Sequence, residues 1–333
     1  MIIKKITLLF CLICTLTTYS QDAQFTQFFA AANYLNPAFA GATFQNRAAM
    51  TYRHQWPGVP KAYTSMNFSS DFNFEKINSG VGFNIFRDNA GTGGLKHTNV
   101  SMQVSHQFKL KRDLYFRPAI QFGLLNKSLD MNSLTFGDQL IRDNAPTTLE
   151  SSKIEPITNF DFGSGLLIYS SKLWAGFSVH HLNQPNEALI GNEAILPMKF
   201  SLHGGYKLYL NTFTRRQTDE EISFAFNYKS QGKFDQFDIG FYYTRSAVIL
   251  GLWYRGIPGL KAYQQGYQNN DAIALLIATE VKALKIGYSY DITISRLVSN
   301  TTGSHEVTLV YQWASKGAPP LSKQKRIVPC PKF

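Results

Sequence analysis

Regular alternation of apolar with polar or small residues is the feature that most constrains the fold of this chain. Segments 200–210, 222–228 and 284–292 show it most clearly. Roughly fourteen segments of about ten residues share the pattern. A period of two is typical of β-strands whose two faces meet different surroundings. Beyond the first twenty residues no run approaches the ~18 apolar residues that a membrane-spanning helix requires.

Spacing between the strands distinguishes a membrane barrel from a soluble sandwich, which would also alternate. The polar face is rich in Gly, Ser, Asn and Gln, and Tyr and Trp lie near strand ends, as in aromatic girdles. Long connections are expected at 88–95, 128–156, 182–197, 256–271 and 293–303, and short turns at 170–172, 244–246 and 282–283. This pattern predicts an all-β fold, a transmembrane antiparallel β-barrel of about 14 strands with its long loops outside the cell and its short turns in the periplasm.

The two ends of the chain indicate export. Lys4 and Lys5 precede an apolar stretch, 6–16, and small residues at 18 and 20 precede Gln21, which predicts a signal peptide at 1–20. The loop pattern places a periplasmic N-terminal segment at 21–45, the barrel at 46–313 and a basic, Pro-rich periplasmic tail at 314–333. Cys330 is the one cysteine after the signal, so no intrachain disulfide is expected. The expected location is the outer membrane.

Motifs for catalysis or cofactor binding lack their structural context. Gly163-Ser164-Gly165 lies within an alternating strand rather than a strand-turn-helix elbow, so we expect no enzyme and no cofactor. Adjacent His180 and His181 would point to opposite faces of a strand and could not bind one metal ion. A metal site using His180 and His203 is a weaker alternative to simple polar lining. Basic residues are scattered along the chain although its formal charge is +11, so nucleic acid is not an expected partner.

Charged residues on the polar face are expected to line the barrel lumen. They are Arg53, Arg117, Asp161, Lys207, Asp238, Arg255, Lys285 and Asp291. An excess of basic side chains would suit an anion-permeable channel. Pairing of these charges across a plugged interior explains them equally well.

Several sequence strings resemble those of one membrane-protein family. They are QFTQFF at 24–29, YLNPAFAG at 34–41, RHQW at 53–56, GLWYRG at 251–256 and GYSYD at 287–291. The chain resembles the PorP/SprF family of type IX secretion system membrane proteins of Bacteroidetes over essentially its whole mature length. The residues Tyr34, Asn36, Pro37 and Gly41 mark the YLNPAFAG motif, whose Asn-Pro and Ala-Gly pairs are turn signals. They are expected either to pack into the periplasmic mouth or simply to lead into the first strand.

The resemblance implies an outer-membrane barrel that serves protein export. Members of the family support the secretion or surface anchoring of partners such as large adhesins with a C-terminal sorting domain, in some species for gliding motility. The implied partners are such a secreted protein, periplasmic type IX secretion components, or both, together with outer-membrane lipid. The alternative is a small-solute or anion-permeable porin.

Apolar residues in the expected long loops are candidates for partner binding, because exposed apolar groups often mark interfaces. They are Leu140, Ile141, Leu189, Ile190, Ile195 and Leu196. These loops are expected either to form an extracellular docking surface or to fold back as a plug.

Overall fold

The computed structural model describes most of the chain between residues 21 and 314. The described ranges are 21–43, 45–59, 62–91, 93–130, 134–143, 148–149, 154–191, 193–210, 220–262, 268–295 and 301–314, with backbone only at 258–262 and 268. The predicted signal peptide and all but the first residue of the predicted tail lie outside these ranges. Within them, no helix is long and apolar enough to cross a membrane.

Fifteen strands in the described ranges form one antiparallel sheet that closes on itself. They are β1 (Asn46–Gln55), β2 (Tyr63–Phe74), β3 (Ser79–Ala90), β4 (Leu95–His106), β5 (Phe108–Lys111), β6 (Leu114–Leu129), β7 (Ile157–Tyr169), β8 (Leu173–His180), β9 (Lys199–Tyr209), β10 (Glu220–Gln231), β11 (Phe234–Arg245), β12 (Val248–Ala262), β13 (Gln268–Val281), β14 (Leu284–Thr293) and β15 (Ser304–Trp313). Because β4 and β5 both pair with β6, they form one interrupted wall strand. Pairing of β1 with β15 closes the barrel. The predicted antiparallel barrel of about 14 strands is confirmed.

Alternating side chains give the wall a polar inner face and an apolar outer face. On β14, for example, Ser289 and Asp291 point inward and are buried, whereas Ile286 and Tyr288 point outward. Outward-facing apolar side chains are exposed on nearly every strand, as a lipid-facing surface requires. The period of two in the sequence therefore reflects a barrel wall that faces the lumen on one side and lipid on the other.

The barrel has two dissimilar ends. Antiparallel pairing brings the strand ends that flank residues 56–62, 91–94, 130–156, 181–198, 232–233, 263–267 and 294–303 to one end of the barrel, which we call the long-loop mouth. The strand ends that flank 75–78, 112–113, 170–172, 210–219, 246–247 and 282–283 lie at the other end, the short-turn mouth. The expected loops at 88–95 and 256–271 are wrong in extent, because β3 continues to Ala90 and β12 to Ala262. A register irregularity at Arg255/Gly256 lets β12 continue beyond the point where its alternation stops.

Residues 21–43, which we call the lumen segment, run through the barrel from the long-loop mouth to the short-turn mouth. At one end the amide of Asp22 donates to Gln231 at the end of β10 (2.9 Å). At the other, the amide of Gly41 donates to Asp71 in β2 (3.2 Å). Between them lie a short helix, α1 (Ala32–Leu35), and a 3₁₀ turn, Pro37–Phe39. The segment predicted to lie on the periplasmic side thus lies inside the lumen. Strand alternation could not predict its position, because the segment pairs with no strand.

Candidate functional site: the plugged lumen and its mouths

A buried charge cluster occupies the half of the lumen nearer the long-loop mouth. Arg53 bonds Asp291 (2.8 Å) and Glu306 (3.1 Å). Arg255 bonds Asp238 (2.9 Å) and the same Asp291 (3.0 Å). Burial of charges is costly unless each is paired and hydrogen-bonded, and here the wall supplies its own counter-charges. Glu306 was missed at the sequence level, although it belongs to the inward set of the alternating segment that ends at residue 313.

The lumen segment completes this cluster. Backbone amides of Thr26 and Gln27 donate to the two carboxylate oxygens of Glu306, both at 2.7 Å. The Thr26 hydroxyl donates to Asp291 (2.7 Å) and accepts from Arg53 (2.8 Å). Two main-chain donors of the segment therefore bind one buried carboxylate, a charge-assisted arrangement about twice as strong as neutral hydrogen bonds.

The other predicted lumen charges are also buried and partnered. Arg117 donates to the carbonyl oxygens of Ala40 (2.8 Å) and Gly41 (2.9 Å), so it holds the end of the lumen segment at the short-turn mouth. The remaining contacts are Lys207 with Glu221 (3.1 Å), Lys285 with Glu280 (4.0 Å) and Asp161 with His181 (2.8 Å). All eight predicted lumen charges thus lie in paired or hydrogen-bonded contacts inside a filled barrel.

Aromatic rings fill the middle of the lumen. Phe28 stands edge-on to Trp253 with ring centroids 4.9 Å apart. Phe29 meets Trp174 at 5.9 Å and Tyr242 at 6.3 Å. Such edge-to-face pairs add about 0.5–1.5 kcal/mol each beyond the burial of their area. The segment is therefore packed against the wall as a hydrophobic core.

Asn36 is the most densely bonded residue of the YLNPAFAG motif. Its side-chain oxygen accepts from the amide of Ala38 (2.9 Å) and so caps the 3₁₀ turn. Its side-chain amide lies within hydrogen-bond distance of Leu166 O (3.1 Å), Phe177 O (3.3 Å) and the His203 ring (3.1 Å). The asparagine therefore ties the lumen segment to three neighbouring wall strands.

The other three motif residues also fix the conformation of the lumen segment. Pro37 begins the 3₁₀ turn, where its fixed φ is favourable. The Tyr34 hydroxyl donates to Ala23 O (2.7 Å) and so folds the start of the segment back onto α1. Gly41 has φ +60, a conformation that glycine adopts at little cost. The motif lies inside the lumen, and its last two residues, Ala40 and Gly41, reach the short-turn end.

Wall glycines make room for the lumen segment. A Cβ at Gly165 would overlap the side-chain oxygen of Asn36, and one at Gly287 would overlap that of Gln27. A Cβ at Gly80 would overlap the carbonyl oxygen of Ala40. Since three separate strands lack side chains where the segment passes, wall and segment are complementary in shape along its length.

Asp22 anchors the segment at the long-loop mouth. Its carboxylate contacts Lys199 (2.5 Å) and His181 (3.0 Å), and the other ring nitrogen of His181 bonds Asp161. Burial opposes protonation of His181, but Asp22 and Asp161 outweigh it and raise the pKa of His181 to about 9. Burial also opposes ionisation of Asp22, yet Lys199 and His181 hold the pKa of Asp22 well below its usual value.

Both histidines of the predicted opposite-facing pair are buried in the lumen. Their predicted opposite orientation is wrong, because β8 ends at His180 and His181 has φ +58. His180 points to Leu35 O (3.4 Å) and His203 to Asn36. Among the described residues, no group of three or more His, Cys, Asp or Glu side chains is arranged to hold a metal ion.

The predicted partner-binding residues divide into two groups. Leu140, Ile141, Ile190 and Ile195 are exposed, with Ile141 at 87% and Ile190 at 70%. Leu189 is half-buried and Leu196 is buried. Leu140 and Ile141 end a short helix, α2 (Gly137–Ile141), in the connection between β6 and β7.

Connection 181–198 is itself folded. Asn186 and Ile195 form an antiparallel bridge, and Glu187 turns inward to Lys127 (3.0 Å) and His97 (3.3 Å). Burial raises the pKa of Glu187, but His97 and Lys127 outweigh it and lower the pKa below its ordinary value. The connection is thus pinned to β4 and β6 while Ile190 and Ile195 face outward.

Comparison with known proteins identifies a family. The family model described as type IX secretion system membrane protein PorP/SprF matches residues 17–311. No curated protein sequence gives a significant match. Solved structures with a similar course include Omp33 of Acinetobacter baumannii (7% identity, 82% of this chain and 100% of that chain, TM-score 0.40) and BamA of Haemophilus ducreyi lacking POTRA domains 1–3 (8%, 80% and 70%, 0.41). A mutant porin of Rh. blastica matches at 8% identity over 81% of this chain and 99% of that chain, with a TM-score of 0.33.

Proposed function

Because the chain belongs to the PorP/SprF family of type IX secretion system membrane proteins, we propose that it supports the secretion or cell-surface anchoring of a partner protein. The partner is a secreted protein such as a large adhesin with a C-terminal sorting domain, with periplasmic secretion components as further contacts. The role is non-catalytic: the barrel is a membrane-embedded scaffold that holds a partner at the long-loop mouth.

The filled lumen is the observation that carries this proposal over a porin. Residues 25–33 and 35–41 of the lumen segment are buried, and their contacts extend from the charge cluster to Arg117. A solute channel needs a continuous wet path with accessible charges, whereas the eight predicted lumen charges here are engaged in contacts. The surfaces left for function are therefore the two mouths and the lipid-facing wall.

Exposed apolar side chains support docking at the long-loop mouth. Leu140 and Ile141 on α2 and Ile190 and Ile195 on connection 181–198 project from structured pieces of chain. Preformed apolar projections bind at a lower entropic cost than flexible ones. We propose that these four residues contact the secreted partner.

Gentle detergent extraction of the natively expressed, tagged protein, followed by mass spectrometry of what co-purifies, tests the proposal. A stoichiometric, very large secreted protein is the expected result, and periplasmic secretion components would assign the chain to the core apparatus. A partner-free barrel with stable conductance in planar bilayers would instead support the porin.

Surface variants test the docking residues. The double variant Ile190→Ser/Ile195→Ser should release the partner into the medium while the barrel still assembles. It is preferable to deletion of 183–193, because deletion also removes the inward contacts of Glu187. Leu110→Ser/Phe108→Ser, which removes two apolar side chains that are about half exposed near the short-turn mouth, is the matched control. Unchanged partner retention in the first variant would remove connection 181–198 from the docking role.

A further inference from the structure

A small cavity opens at the long-loop mouth between the lumen segment and strands β9, β10 and β11. Its volume is about 60 Å³, more than the ~10–15 Å³ that one water molecule needs. Rings of Phe25, Phe28 and Phe234 and the side chains of Lys199 and Lys229 line it. We call this cavity the mouth pocket.

Only one of the two lysines in the mouth pocket has a counter-charge. Lys199 is paired with Asp22 and also lies over the Tyr34 ring, 4.6 Å from its centroid. Half-buried Lys229 lies 6.0 Å from the centroid of the Phe28 ring. Within the described residues Lys229 forms no ion pair.

Nearby carboxylates are committed elsewhere. Asp238 is bound by Arg255 (2.9 Å) and by the side-chain amide of Gln236 (2.8 Å). Asp235, which lines the pocket together with Asp22, accepts from the Ser230 hydroxyl (2.9 Å). A cation held partly out of water without a partner is costly, so the ammonium group of Lys229 is poised for an anion that enters from the mouth.

We propose that the mouth pocket binds a carboxylate of a polypeptide docked at the long-loop mouth, with the carboxylate on Lys229 and its apolar stem between the rings of Phe28 and Phe234. This inference rests on the proposed docking function and gives the partner a chemical identity: an acidic side chain or a chain terminus flanked by apolar groups. The volume suits one carboxylate, and the aromatic walls favour an organic anion over a hydrated inorganic one.

Competitive acetylation of the full-length protein in detergent tests the pocket without any partner. The probe is 3-phenylpropionate, and its uncharged analogue 3-phenylpropionamide is the matched control. Limited acetylation followed by mass spectrometry should show several-fold slower modification of Lys229 with the carboxylate and no slowing with the amide. Lys109, exposed on β5, is the internal reference. Equal rates at Lys229 with both compounds, or equal protection of Lys109, would overturn the proposal.

Two further probes distinguish the source of the carboxylate. N-acetylphenylalanine offers a chain terminus, and N-acetylglutamyl-phenylalaninamide offers an acidic side chain next to a ring. Stronger protection of Lys229 by the first supports a terminus, and stronger protection by the second supports a side chain. Failure of both probes would refute a polypeptide ligand.

Partner retention on cells separates this inference from the proposed function. Lys229→Met should reduce retention of the surface partner, Lys229→Arg should restore it, and Lys109→Met should leave it unchanged. If the wild-type chain retains no partner, the proposed function fails. If the wild-type and Lys229→Met chains retain it equally, with equal amounts of folded barrel, the docking function stands and the carboxylate site fails.

Discussion

Asn36→Ala should release the lumen segment from the wall. The asparagine is completely buried and uses all of its side-chain polar atoms: it caps Ala38 and faces Leu166 O, Phe177 O and the His203 ring. Loss of an N-cap costs about 1 kcal/mol. The amide has two hydrogens, so at most two further bonds are lost, at about 1 kcal/mol each. The segment should therefore dock about 3 kcal/mol less favourably.

Single-channel recording in planar bilayers measures this change. Since 1.4 kcal/mol corresponds to tenfold in an equilibrium constant, the ratio of open to closed states should rise roughly a hundredfold. The lumen segment contains the control: Asn33 is also completely buried, but neither its side-chain oxygen nor its nitrogen has a hydrogen-bond partner within the described residues. Asn33→Ala removes an asparagine three positions away without removing a hydrogen bond.

The two variants together test whether the hydrogen bonds of Asn36 hold the lumen segment in place. Asn36→Ala should open often and Asn33→Ala should remain as closed as the wild type, with both folded by heat-modifiable gel mobility. Equal opening by both variants would show that bulk, not hydrogen bonding, holds the segment. A closed Asn36→Ala barrel would refute the role of Asn36 in docking the segment.

Three other perturbations test the remaining contacts of the lumen segment. Gly165→Ala, which places a Cβ against the Asn36 side chain, should open the channel. Gly163→Ala on the same strand, whose Cβ would come no closer than 3.1 Å to another atom, should keep the channel closed. Similar conductance in both variants would argue against tight contact at Gly165. The pKa of His181 is raised to about 9 from about 6.5 in an unfolded chain, so its contribution to stability is complete below about pH 6.5 and is lost as the pH rises through about 9. Chymotryptic cleavage at Phe25 should therefore accelerate as the pH approaches about 9 in the wild type but not in His181→Gln, and identical profiles would exclude His181 as the titrating group. Arg53→Met leaves Asp291 and Glu306 short of a counter-charge and should destabilise the barrel by about 3–5 kcal/mol, measured as a lower urea midpoint of unfolding. Exposed Arg245→Met should leave the midpoint unchanged. Equal midpoints in the two variants would mean that Arg255 and water compensate for the lost charge of Arg53.

The lumen segment also changes how the charged residues of the lumen are interpreted. Basic residues at inward positions suggest an anion channel when they are counted along the sequence. In the barrel, Arg53 and Arg255 share Asp291, and Arg117 binds main-chain carbonyls rather than a solute. Charge composition alone does not identify a pore, because the partners of each charge determine whether it is available.

Local patterning was sufficient to predict the barrel. The alternation at 284–292, for example, places Asp291 inward and Ile292 outward without knowledge of their neighbours, because successive side chains on a strand point to opposite faces. The same parity predicted the eight inward charges, and the strings at 24–29 and 34–41 were sufficient to recognise the family. These properties are encoded within a few consecutive residues, so the sequence by itself determined them.

Only the tertiary structure decided the path of the lumen segment and the partners of the charges. Thr26 and Glu306 are separated by 280 positions, and the contact of Asp22 with Gln231 spans 209. No local period records such a contact, since it depends on closure of the whole barrel around a segment that belongs to no strand. The unpaired state of Lys229 is likewise a property of the assembled lumen, because it follows from the commitment of Asp238 to Arg255 and Gln236.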